Sequence, residues 1–116
     1  MHRFVARENI DYYLGILNSD VLLAPEKREA ITKLLIAELD KSSHDPEQLE
    51  FAETRAAKGR ERLKHVRALR NAAERKDRAN AELLVVNVEA IQDLLETFCH
   101  QLRASVNKPL IAAIVA

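Results

Sequence analysis

The chain has 116 residues, of which 47% are apolar and 31% charged, and its 18 basic and 18 acidic side chains cancel. Such a composition fits one soluble domain and excludes wholesale disorder. Two glycines and three prolines are too few turn signals for a β-sandwich or barrel, the isolated Gly15 and Gly59 form no phosphate-cradling loop, and the lone Cys99 excludes an internal disulfide framework or a cysteine-only metal cage.

Charged residues Arg3, Arg7 and Glu8 interrupt the start before a signal-peptide core can form. No stretch approaches the roughly 20 apolar residues needed to span a bilayer. The expectation is an all-α, cytoplasmic, non-enzymatic protein without cofactor or metal.

The first helix is expected over residues 4–18, where Ile10, Tyr13, Leu14 and Leu17 recur at helical spacing. Tyr13 belongs to the core face and Tyr12 is its outward neighbour. Val21-Leu22-Leu23 then leads to a second helix opened by Ala24-Pro25-Glu26, with proline at the first helical position and an acid at the positive end of the dipole. Its apolar face is Ile31, Leu34, Leu35 and Leu39, and Ser42-Ser43-His44 breaks it.

Asp45-Pro46-Glu47-Gln48 offers an N-cap acceptor, a proline at N1 and a glutamine able to reach back, a variant capping box. The helix it opens carries Leu49, Ala52, Ala56, Gly59, Leu63, Val66, Arg70 and Ala73 at alternating spacings of three and four, a heptad seam with small residues in its first half. The pattern lapses across 76–80, where Asn80 is a candidate cap. A stronger seam follows with Leu84, Val88, Ile91, Leu95, Phe98 and Leu102, widened by Leu94.

Two architectures satisfy this pattern. In the favoured one, the third and fourth helices fold back near 76–80 into a four-helix bundle. In the other, one rod runs from 46 to about 106, on the order of 90 Å long, and needs a partner chain. Either way the chain reads as a single domain: an N-terminal helical hairpin (1–44), long helices (45–108) and an apolar tail (109–116). That tail either docks on a core or partner or is a disordered end.

Charge is segregated. Residues 1–54 hold six basic and eleven acidic side chains, residues 55–78 hold ten and three, and residues 79–116 hold two and four. With Leu49 at heptad position a, a parallel self-pair sets Arg55 against Arg60 and Arg62 against Arg67, all like-charged. An antiparallel pair crossing near Gly59 and Arg60 sets Glu53 of one chain near Arg67 of the other, although Arg60 then meets its own mate. The expected function is therefore helix-mediated self-association, as a homodimer, or docking on another protein. Its interface is Leu49, Ala56, Gly59, Leu63, Val66, Leu84, Ile91, Leu95 and Phe98, with Glu53, Arg60 and Arg67 pairing by charge.

A nucleic-acid adaptor using the basic helix 55–78 is the alternative. Its basics lie all round the helix, though, and no aromatic lies between 52 and 97 for base stacking. A further alternative is a phosphotransfer histidine at His65, which stands at an outward c position but lacks the His-x-x-Lys-Gly surroundings. Glu96 with His100 and Glu61 with His65 are spaced by four, where di-iron bundles use Glu-x-x-His. Cys99, beside Phe98, reads as a half-buried apolar filler.

Arg7-Glu8-Asn9-Ile10, Tyr13-Leu14, Arg28, Ile31, Leu34-Leu35, Glu38 and Lys41, with the acidic Glu38-Leu39-Asp40, form a pattern over 7–41. It resembles short alphaproteobacterial, notably rhizobial-type, helical proteins with an N-terminal helical hairpin. The resemblance implies a bacterial cytosolic helical protein and no particular activity.

Overall fold

The computed structural model describes residues 2–19, 23–43 and 45–115, with side chains over 5–105 in those segments. Its four helices are α1 (His2–Leu17), α2 (Pro25–Ser42), α3 (Leu49–Ala72) and α4 (Arg78–Val115), and a 3₁₀ turn, Pro46–Gln48, leads into α3. The all-α expectation holds. Helices α1 and α2 form one hairpin, α3 and α4 a second, and the two stack.

Local chemistry explains most boundaries. Pro25 opens α2 at N1, and Arg28 N–H donates to Ala24 O at 2.9 Å. Before α3, Asp45 accepts from Glu47 N–H at 3.1 Å while Gln48, 2% exposed, is buried in the bundle. The connecting residues 20–22 and His44 lie outside the described segments.

The main core joins all four helices: Ile10, Leu14 and Leu17 of α1, Leu35 and Leu39 of α2, Ala52 and Ala56 of α3, and Ile91, Leu95, Phe98, Cys99 and Leu102 of α4. Tyr13, Ile31 and Leu94 pack on it, and Tyr12 faces out at 66% exposure. Leu34, expected on the inner face of α2, is instead 47% exposed, because α2 turns only Ile31, Leu35 and Leu39 inward. Two polar contacts cross between the hairpins, Arg55 Nε to Asp11 at 2.8 Å and Arg28 Nη2 to Asn87 O at 2.9 Å, while Asn9 Nδ2 to Glu38 at 3.3 Å ties α1 to α2. Burial holds the Arg28 pKa below its ordinary value.

The molecule measures 61 × 26 × 18 Å. At about 1.5 Å per residue, α4 exceeds the other helices in length. Toward its turn the α3–α4 hairpin carries a second, smaller core of Val66, Val85 and Val88 with Leu63 and Leu84 packed on it. The fold-back falls at 73–77, slightly before the expected 76–80, and Asn80 lies inside α4 rather than capping it. The uninterrupted rod is thus not the form adopted, since α4 itself covers the α3 seam. The backbone of α4 stays helical through Pro109 to Val115, where a tail was expected, and what the side chains of that tail touch lies outside the described residues. Among the described residues, no helix is long and apolar enough to cross a membrane.

Gly59 of α3 lies against the buried Gln92 side chain of α4. A Cβ there would collide with the Gln92 Oε1 atom, so a larger residue at this position requires the Gln92 amide to leave its place. Replacing helical glycine by alanine ordinarily stabilises by about 1 kcal/mol. Here Gly59→Ala is expected to destabilise by about 1–3 kcal/mol through overpacking, read by urea unfolding. In a Gln92→Ala background, which vacates the space, the same change should become neutral or stabilising.

Candidate functional site

The residues that sequence reasoning placed at an interface between copies all lie where α3 meets α4 or the other helices of the same chain. Ala56 and Val66 are fully buried, Ile91, Leu95 and Phe98 are at most 3% exposed, Gly59 is buried, and Leu49, Leu63 and Leu84 pack on the two cores. The apolar seam of α3 is thus covered by α4 of the same chain.

The charges follow the same logic. Glu53 meets Arg103 at 3.7 Å, Arg60 meets Glu96 at 2.7 Å, and Arg67 meets Glu89 at 3.7 Å. These rungs ascend α3 in steps of seven residues while descending α4 in steps of seven, the register of an antiparallel coiled coil. Arg70 and Glu82, 3.5 Å apart, close the ladder near the turn. The expected contact between Glu53 of one chain and Arg67 of another is replaced by these pairs, and Arg60 faces Glu96 rather than its own mate.

Arg60 and Glu96 make the best-formed rung, with Nε to Oε1 at 2.7 Å and Nη2 to Oε2 at 3.1 Å. Behind it, the buried Gln92 amide donates to Ala56 O at 2.9 Å and to Glu96 Oε1 at 2.7 Å. The Arg60 hydrogen bond, aided by Gln92, holds the Glu96 carboxyl below its usual pKa, and Glu96 raises that of Arg60.

Four polar side chains are buried where the sequence did not place them: Ser42, expected to break α2 but 4% exposed inside it, Gln48, expected to cap, Arg55 and Gln92. Arg55, expected to meet Arg60 of another chain in a parallel pair, is 7% exposed and reaches Asp11 and Arg7 O of α1. Gln92 is 5% exposed. For Gln92 a signal existed: it sits within the apolar stretch of α4, one turn from Glu96 and opposite a glycine. For Arg55 no local pattern marks it.

The other candidates are dispersed. His65 is exposed on α3. Among the described residues, no cluster of three metal-ligating side chains forms. Of the ten basic residues over 55–78, at least five (Arg55, Arg60, Arg67, Arg70 and Lys76) are paired with carboxylates of the same chain. Cys99 is fully buried rather than half-buried, and burial pushes its thiol pKa up despite nearby Arg103. No family model, curated protein or solved structure matches this chain.

Because the folded-state pKa of Glu96 is lowered, its stabilising contribution is present above the unfolded carboxylate value of about 4.3 and is lost as pH falls through the lowered value. The stability gap between wild type and Glu96→Gln should therefore narrow on acidification from about pH 6 to about pH 3, measured by thermal melts; a constant gap would contradict the rung. Cys99 should react with a thiol reagent only at the rate of unfolding, orders of magnitude slower than in urea.

Proposed function

We propose that this chain is a cytoplasmic, non-enzymatic helical interaction protein that pairs with a second copy of itself by exchanging α4 across the 73–77 turn. One observation carries the reading: the turn is built largely from helix-forming residues, and one row of the seam passes through it at seven-residue intervals while its companion row shifts from three to four residues ahead. Ala73-Glu74-Arg75-Lys76-Asp77 contains neither glycine nor proline, and no positive φ occurs among the described residues. Alanine, glutamate, arginine and lysine rank among the better helix formers. Leu49, Ala56, Leu63, Arg70, Asp77, Leu84, Ile91 and Phe98 follow one another at seven-residue intervals through α3, the turn and α4.

Straightening the turn joins α3 and α4 into one helix, and a second copy then supplies the opposite strand. Every α3–α4 contact is remade between chains, including the charge ladder and the Gln92 bond to Ala56 O. Helical backbone bonds replace the present turn bonds, Ala73 N–H to Arg70 O at 3.2 Å and Asp77 N–H to Glu74 O at 2.9 Å. Each added bond contributes about 0.5–1.5 kcal/mol net, set against the entropy of association. A second cost lies at the crossing, where Arg75, Lys76 and Arg78 of both chains converge beside Glu74 and Asp77.

Mass by light scattering over a hundredfold range of concentration tests the proposal. Asp77, exposed in the turn, becomes a seam residue in the exchanged pair, so Asp77→Leu should shift the equilibrium at least tenfold toward dimer. Arg75→Asn with Lys76→Gly, which supplies turn chemistry, should shift it toward monomer. In a Cys99→Ser background, Arg67→Cys with Glu89→Cys should form a bond between chains in the dimer and within one chain in the monomer. A strictly monomeric Asp77→Leu variant would overturn the reading.

A further inference from the structure

We infer that the cleft between α1 and α3 is a binding site for a small amphipathic organic anion, one with an apolar body and a single negative head. The cleft encloses about 410 Å³, within the range of small-molecule sites. Its apolar wall is Leu14 of α1, Phe51 of α3 and Leu95 of α4. Leu14 and Leu95 belong to the main core, while Phe51 remains 37% exposed.

Charge selects the head group. Lys58 and Arg62 line the cleft one turn apart on α3, and Arg55 lies between them and Phe51 along the same face. The lining carboxylate, Asp11, is already engaged by Arg55 Nε at 2.8 Å. Arg55 is itself 7% exposed, and its Nη1 atom has no hydrogen-bond partner among the described residues. Lys58 forms no ion pair with any described residue. Lys58 thus stands over an apolar wall with the buried Arg55 behind it, a combination complementary to an anion with an apolar tail and to neither part alone. At one end Arg7 lies 4.8 Å from the centre of the Phe51 ring and adds a further positive charge.

Gly15 keeps the cleft open. It lines the cavity, and a Cβ built there would meet nothing within 4 Å. Unlike Gly59, it is not demanded by packing, and its backbone is helical. A residue with better helix propensity fits the same helix, and a larger side chain there fills the cleft without entering the core.

Decanoate is the probe, with decanol and inorganic phosphate as the two controls. Titration is followed by two-dimensional amide NMR on the full chain. Decanoate should shift the amides of Gly15, Asn18, Thr54 and Lys58 and bind at least tenfold more tightly than either control. Gly15→Leu should abolish those shifts while leaving the melting temperature equal or higher, and Lys58→Glu should weaken decanoate tenfold and leave decanol unchanged. Equal binding of decanol would reduce the cleft to a greasy groove. Equal binding of phosphate would reduce it to a patch of charge. Either result, an absence of binding, or decanoate binding unaffected by Gly15→Leu, overturns the inference. The assignment does not depend on self-association, because Gly15, Lys58 and Arg62 belong to the α1–α3 pair and Leu95 of α4 takes the same place on the wall whichever copy supplies α4.

Discussion

The contact between Gln92 and Gly59 governs how α3 lies on α4. A side-chain amide is buried against a helix backbone at the one seam position without a Cβ, and it donates to Ala56 O at 2.9 Å. A buried amide leaves few acceptable alternatives, because a shift of one turn along α3 would strand its donors in an apolar layer. Apolar surfaces alone tolerate sliding; this contact does not. Once it is set, the rungs at Glu53, Arg60 and Arg67 fall opposite Arg103, Glu96 and Glu89 without further adjustment.

The ladder and the seam divide the work. Exposed ion pairs contribute little each and are screened by salt, so the ladder selects an antiparallel orientation more than it supplies stability. Stability comes from burying Ala56, Val66, Val85, Ile91, Leu95, Phe98 and Leu102, all at 3% exposure or less, on the scale of 25 cal/mol per Å² of apolar surface. The Arg60–Glu96 rung joins the two parts, since Gln92 donates to both the α3 backbone and the Glu96 carboxylate. Placing α4 correctly also presents Leu95 as a wall of the α1–α3 cleft.

Helix existence and inner faces were legible in the sequence because burial acts through spacing. Pro25 and Asp45-Pro46 marked their helix starts, and the seam from Leu49 to Leu102 is the buried stripe. What spacing could not reveal was which helix covers which. Testing α3 against its own copy put Arg60 beside its mate, whereas testing it against α4 places an acid opposite both Arg60 and Arg67 and a base opposite Glu53. That complementarity was present at seven-residue intervals and became visible only once the partner helix was chosen. Arg55 was not legible at all, because its burial depends on α1 crossing over it, a tertiary event that no local pattern encodes. Leu34 failed the other way: the inner face of α2 is narrower than its run of leucines.

Register and connectivity are specified by different parts of this chain, and unequally. Register is over-determined by a buried amide seated on Gly59 and by three rungs. Connectivity is under-determined: the five residues that reverse the chain contain no residue that demands reversal, and one seven-residue row of the seam runs through them. A strongly specified interface joined by a weakly specified turn favours the same contacts whether they close within a chain or between two. The choice then rests on concentration and on the small balance between turn and helix at 73–77. In the exchanged pair proposed above, Asp77, exposed in the hairpin turn, would occupy an apolar seam, so on that proposal a single side chain would set the balance without touching the fold.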